Sequence, residues 1–171
     1  MQAQNQDEFV ISRVFDAPRE LVFDAWTRKE HLDKWFGPKG CQIVGGELDL
    51  REGGTYHYGM RMPDGNVMWG KWTFREVKRP EKLVLISSFS DEQGGITVHP
   101  GNPHWPRLTL STTLFESQGP RTLLTIKWQP HQATDIERRT FAENHASMHG
   151  GWSGTFEQLA SYLAEVVRKD G

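Results

Sequence analysis

The sequence predicts an α+β fold in which a curved antiparallel sheet of about six to seven strands wraps around a long C-terminal helix. Apolar residues alternate with polar residues through much of the stretch from Cys41 to Trp128, a pattern typical of β-strands. After Thr134 the apolar residues recur at helical spacing over about nine turns. Short turns join the predicted strands, so neighbouring strands should run antiparallel.

The N-terminal part of the chain predicts one strand followed by two short helices. β-Branched and aromatic residues alternate from Phe9 to Phe15, and Asp16 is the expected N-cap of the first helix. The predicted domain covers residues 8–169, and residues 1–7 are expected to form a flexible, polar N-terminus.

The long C-terminal helix should begin at Thr134, because Glu137 follows at the spacing of a capping box. Gly150 and Gly151 interrupt the helical pattern and predict either a kink or a close approach of the backbone at that position.

Composition narrows the classes of partner. The 171 residues include 20 basic and 22 acidic side chains, which disfavours nucleic acid as the main partner. The single cysteine, Cys41, rules out an intrachain disulfide. We find no membrane span, no signal peptide and no nucleotide-binding motif, so we expect a cytoplasmic protein with no cofactor.

Four segments resemble one known protein family. Arg13–Thr27 (RVFDAPRELVFDAWT) and His31–Gly40 (HLDKWFGPKG) are similar to the opening of SRPBCC, or START-like, proteins. Gly70–Leu85 and Met148–Leu163 resemble later parts of the same group, which is homologous to the C-terminal domain of the heat-shock-protein-90 ATPase activator.

This resemblance implies a helix-grip fold with a cavity between the sheet and the C-terminal helix. It also implies that the cavity binds a hydrophobic, aromatic or amphipathic small molecule. Two alternatives stay open: a polyketide cyclase- or dehydratase-like enzyme, and a co-chaperone-like protein-binding domain. The eukaryotic activators carry an additional N-terminal domain for which this chain has no room, which argues against a chaperone partner.

The candidate ligand-binding residues are large apolar side chains on the predicted inner faces, with one histidine on the last helix. Methionine adapts to irregular shapes, and aromatic rings line pockets as readily as they fill cores. The alternative is that these side chains simply fill a core. The predicted lining is Trp35, Tyr56, Tyr58, Met60, Met68, Trp72, Phe74, Phe89, Trp128, Phe141, His145, Met148, Trp152 and Phe156, and Leu110 and Ile126 face the same way in this interpretation.

A metal site is not predicted. His145 and His149 share a helix face, but a metal ion needs a third ligand, and the candidates for it are not held by any motif. Those candidates are His57, His99, His104 and Glu47.

Catalytic residues stay unassigned, and so does the question of whether the chain is an enzyme. Acid–base chemistry would draw on Glu47, Asp49 or Arg61 with a tyrosine hydroxyl, and Cys41 is expected to be a buried structural thiol.

The loop from Asp91 to Pro106, which contains His99, His104 and Trp105, is interpreted either as a lid over the cavity or as an irregular surface loop. A homodimer is an open alternative, with Trp26 or Trp69 outside the core.

Overall fold

The computed structural model describes residues 8–37, 39–99 and 101–170, and the predicted flexible segment 1–7 lies outside them. The strands are β1 (Phe9–Phe15), β2 (Gln42–Leu48), β3 (Thr55–Arg61), β4 (Val67–Lys78), β5 (Lys82–Ser90), β6 (Ile96–Thr97), β7 (Thr109–Gln118) and β8 (Arg121–Pro130). The helices are α1 (Arg19–Thr27), α2 (Lys29–Trp35), α3 (Asp135–Glu143) and α4 (His145–Asp170).

All strands join one antiparallel sheet in the order β1-β8-β7-β5-β4-β3-β2, and the short β6 pairs with β5. Two short helices follow the first strand, and a long helix ends the described chain. The α+β prediction is therefore confirmed. None of the helices formed by the described residues is long and apolar enough to cross a membrane.

The C-terminal helical region differs from the prediction because it breaks at Asn144, whereas Gly150 and Gly151 lie inside α4. Asn144 leaves helical geometry, and its Nδ2 donates a hydrogen bond to the Thr140 carbonyl oxygen at 2.7 Å. Asparagine side chains compete with the helical backbone in this way. The predicted capping box of Thr134 and Glu137 is confirmed.

The start of α1 also differs from the prediction. Pro18 is its N-cap, with no side-chain cap hydrogen bond, so Asp16 does not cap the helix.

The space between sheet and helices is filled by stacked and edge-on aromatic rings. Trp26 on α1 lies 4.9 Å from Trp35, 6.4 Å from Trp72 and 5.9 Å from Trp152, measured between ring centroids. Trp26 is only 2% exposed, which corrects the expectation that it could lie outside the core. Trp69 is half-buried and stacks on His57.

The Trp35 indole ties α2 to α1, because its Nε1 donates to the Ala25 carbonyl oxygen at 2.9 Å inside the core. We expect Trp35→Phe to lower the free energy of unfolding by about 2–4 kcal/mol, since it removes a buried donor and leaves a cavity. The same change at half-buried Trp69 is the matched control and should destabilise less in urea denaturation. Equal losses in the two variants would contradict this assignment.

Candidate functional site

A cavity of about 230 Å³ lies among β3, β4 and β5, the end of β8 and the loop before β7. Its wall combines thioethers, aromatic rings and small neutral polar groups. None of the described residues that line it carries a charged side chain. The lining residues are Tyr58, Met60, Met62, Met68, Trp69, Gly70, Ser87, Ser88, Phe89, Trp105, Pro106, Thr109 and Trp128.

The cavity floor is formed by Tyr58, whose phenol ring lies over Gly70 on the neighbouring strand. These two residues pair directly between β3 and β4. A Cβ atom at position 70 would lie 2.5 Å from both Cζ and Oη of Tyr58. Glycine is therefore required here for the ring to lie flat across the sheet.

Two neighbouring rings fix the position of the Tyr58 phenol. Tyr56 stacks on it at 4.9 Å between centroids, and Phe36 meets it edge-on at 5.5 Å. Burial raises the pKa of Tyr58 to about 12, while a hydrogen bond from the Trp72 side chain acts in the opposite direction. The phenol is therefore neutral at physiological pH, and the cavity wall carries no charge.

The loop before β7 covers one side of the cavity through Trp105. The Trp105 ring lies 5.5 Å from Phe141 on α3 and 5.9 Å from His99, which in turn lies 4.9 Å from Phe89. Nδ1 of His99 accepts a hydrogen bond from the Gly101 N–H at 2.8 Å, so its neutral form carries the proton on Nε2. Burial lowers the pKa of His99. Pro100, between them, lies outside the described residues.

A groove of about 830 Å³ lies next to the cavity, between the β3–β4 turn and β6. The lining of the cavity and that of the groove share Met62, Met68, Trp69 and Phe89. Two of these four shared residues are methionines, whose flexible thioether side chains adapt to different shapes.

The structure places five of the predicted lining residues at this cavity: Tyr58, Met60, Met68, Phe89 and Trp128. The other nine do not line it: Trp35, Tyr56, Trp72, Phe74, Phe141, His145, Met148, Trp152 and Phe156. Most of the nine are buried in the aromatic core, because their rings meet each other and occupy the space that was expected to be open. Trp105, on the loop before β7, therefore closes one side of the cavity, whereas α4 packs over the aromatic core.

Two further predicted residues are also placed elsewhere. Ile126 is fully buried in the core. Leu110 pairs with Gln129, one position out of step with Trp128 and Ser111, so it lies on the opposite face of the sheet. The sequence did not predict eight of the lining residues, and the signal for Gly70 is the glycine that faces a tyrosine across the hairpin. The eight are Met62, Trp69, Gly70, Ser87, Ser88, Trp105, Pro106 and Thr109.

The predicted candidate histidines do not lie together at one site in the part of the chain that the structure describes. Among the described residues, no three His, Cys, Asp or Glu side chains are placed to hold a metal ion. The His57 Nε2 atom lies 3.0 Å from the Asp91 carbonyl oxygen, and His149 faces Ser153. His145 packs between Phe9 and Phe141, at 5.6 and 5.5 Å between ring centroids.

The side chains considered for acid–base chemistry lie away from the cavity lining. Glu47 and Arg61 are exposed, and Asp49 pairs with Arg51 at 2.8 Å. Cys41 is half-buried rather than buried, its Sγ lies 3.9 Å from Sδ of Met62, and burial raises its thiol pKa. A raised thiol pKa disfavours the reactive thiolate.

The model of the family described as Activator of Hsp90 ATPase homolog 1-like protein matches residues 16–164. A protein from Arthrobacter aurescens has a similar structure, with a TM-score of 0.78, 25% identity and coverage of 96% of this chain and 90% of that one. A protein from Nitrosomonas europaea gives a TM-score of 0.76 at 24% identity, covering 97% of this chain and 99% of its own. No curated protein matches the chain.

Gly70→Ala should destabilise the protein by about 1–3 kcal/mol, because the added methyl group collides with a phenol that its neighbours hold in place. Gly150 is the matched control, since it is exposed in α4 and its added Cβ meets nothing within 4 Å. Gly150→Ala should stabilise by about 0.5–1 kcal/mol through helix propensity. Urea denaturation measures both, and a neutral Gly70→Ala would show that the Tyr58 ring can move freely.

The packing of His99 predicts a loss of stability in acid. Its folded pKa lies below the ordinary 6.5, so the unfolded chain takes up the proton first as pH falls. The contribution of neutral His99 to the free energy of unfolding is therefore complete above pH 6.5 and declines below it. His99→Gln should flatten the fall in stability measured by urea denaturation from about pH 7.5 to about pH 5.

His149→Gln is the control for this experiment, because His149 is exposed on α4. This variant should keep the wild-type pH dependence. If His99→Gln also keeps the wild-type pH dependence, the packing of His99 against Phe89 and Trp105 does not cause the loss of stability in acid.

Proposed function

We propose a function that starts from one premise: the chain belongs to the family described as Activator of Hsp90 ATPase homolog 1-like protein. The protein is a binding domain that holds a small, uncharged, largely apolar molecule in the cavity floored by Tyr58. The observation that carries this proposal is a cavity of about 230 Å³ lined by thioethers and aromatic rings without a charged side chain.

The chemistry of the wall supports binding of an apolar molecule. Ligand sites are typically concave and apolar, with a few polar groups that orient the ligand. Here the polar groups are the hydroxyls of Tyr58, Ser87, Ser88 and Thr109, together with tryptophan N–H groups. A charged ligand would lose its hydration without gaining an opposite charge, which disfavours it in this cavity.

The same wall favours binding over a cyclase- or dehydratase-like reaction. Acid–base catalysis needs at least two titratable groups within reach of the substrate. Tyr58 is the one titratable side chain among the cavity-lining residues that the structure describes, and its raised pKa of about 12 makes it a poor proton donor at neutral pH. These properties support a carrier or sensor of an apolar molecule.

Filling part of the cavity should weaken binding without unfolding the protein. Ser87 lies on the cavity side of β5, paired with Trp72 and Thr109, and leucine there would occupy part of the space. Naphthalene, a small uncharged apolar molecule, serves as the probe of binding. We expect Ser87→Leu to weaken its binding by roughly tenfold or more. Shifts of ¹³C-labelled methionine methyl signals report binding directly, because Met60, Met62 and Met68 line the cavity.

Thr73→Leu provides the matched control. Thr73 neighbours Trp72 on β4 and is also half-buried, but it lies on the opposite face of the sheet. This variant should bind naphthalene within about twofold of the wild type. Wild-type affinity in a folded Ser87→Leu variant, or no naphthalene binding by the wild type, would refute the proposed function.

A further inference from the structure

We propose that the Tyr58 hydroxyl is the polar anchor of this cavity and that the ligand is a flat, uncharged molecule of about two fused rings carrying a hydrogen-bond acceptor. This inference rests on the proposed function and specifies the class of ligand. Three features of the cavity support it: its size, the fixed position of the phenol, and the direction of the hydrogen bonds that remain to be made.

The size of the cavity indicates the size of the part of the ligand that it encloses. A cavity of about 150 Å³ accommodates benzene. The cavity floored by Tyr58 measures about 230 Å³, so it suits a molecule with one further fused ring. The phenol of Tyr58 and the rings of Phe89, Trp105 and Trp128 give it aromatic walls, and a planar molecule can stack on such surfaces.

The Tyr58 phenol is held firmly enough to set the orientation of a ligand. Tyr56 stacks on it with an interplanar angle of 25°, and Phe36 meets it edge-on at 86°. Gly70 lies directly beneath it and leaves no space for a side chain. A ring with neighbours on these sides presents its hydroxyl at one place, and such preorganisation reduces the entropy lost on binding.

The hydrogen bonding around the phenol leaves a donor for the ligand. Trp72 meets the Tyr58 ring at 6.1 Å between centroids with an interplanar angle of 73°, and because an indole N–H can only donate, Trp72 offers no acceptor to the Tyr58 O–H. Among the hydrogen bonds of the described residues, the Tyr58 O–H has no acceptor. Thr109 already donates its hydroxyl to the Ser87 carbonyl oxygen at 3.2 Å.

The other polar side chains of the wall fit the same kind of ligand. The indole N–H groups of Trp105 and Trp128 are donors only, whereas serine hydroxyls both donate and accept. The Tyr58 O–H and these two indole N–H groups therefore give the wall three groups that can only be satisfied by an acceptor. A ligand that offers an acceptor complements them.

Naphthalene and quinoline form a matched pair of probes, because quinoline has the same shape and adds one ring nitrogen that accepts a hydrogen bond. At neutral pH quinoline is uncharged. We expect the wild type to bind quinoline about fivefold more tightly than naphthalene, the effect of one neutral hydrogen bond. Tyr58→Phe should remove this preference, because phenylalanine keeps the ring and loses the hydroxyl that donates.

Tyr162→Phe is the control variant. The Tyr162 hydroxyl lies in a short contact with Nδ1 of His31, between α4 and α2, and Tyr162 is not among the cavity-lining residues. It should keep the preference for quinoline. Affinities come from the methionine methyl signals, and thermal unfolding confirms that each variant is folded.

The outcomes separate the two proposals. Equal wild-type affinity for both probes overturns the Tyr58 anchor and leaves the binding function standing. A preference for quinoline that survives Tyr58→Phe also overturns the anchor, because another donor must then hold the acceptor. If neither probe binds, the proposed function fails and the anchor fails with it.

Discussion

The packing of Trp26 is the interaction on which the rest of the structure depends. Its ring packs against those of Trp35 on α2, Trp72 on β4 and Trp152 on α4, so one side chain contacts three other elements, two of them distant in sequence. Its Nε1 is buried without a hydrogen-bond partner among the described residues, at a cost of about 1–3 kcal/mol. Because this cluster occupies the deep space between sheet and helices, open volume is left toward Met60 and Met68.

The ladder between β3 and β4 shows how the sheet changes from core to cavity along its length. Tyr56 pairs with Trp72 in a filled layer, Tyr58 with Gly70 at the floor, and Met60 with Met68 in the open layer. Each step is two residues, so all three layers share one face. The Tyr58 phenol separates the filled part from the open part, since Gly70 lets it lie across the sheet.

Much of the fold was predictable because it follows from local periodicity. Alternation located the strands, and the Thr134 capping box located the start of α3. The break at Asn144 was not predictable, because it depends on one side chain competing with the backbone in an otherwise regular pattern. For the cavity, alternation predicted which side chains face the inside of the sheet. It did not predict where the filled core ends and the cavity begins, so the sequence could not distinguish Tyr56 from Tyr58. Closure by Trp105 depends on the path of an aperiodic loop.

The position of the cavity explains why a shared fold does not determine which ligand is bound. Structures only 22–25% identical to this chain reproduce its fold, which a buried aromatic core can maintain. The cavity wall instead comes from strand ends and from the loop that carries Trp105, where residues face open space and packing restricts them less. A change at Met60 or Met68 can therefore alter what the cavity accepts while the Trp26 cluster still holds the fold. Ligand class must be argued from this wall, whose neutral side chains and Tyr58 O–H favour an uncharged molecule with an acceptor.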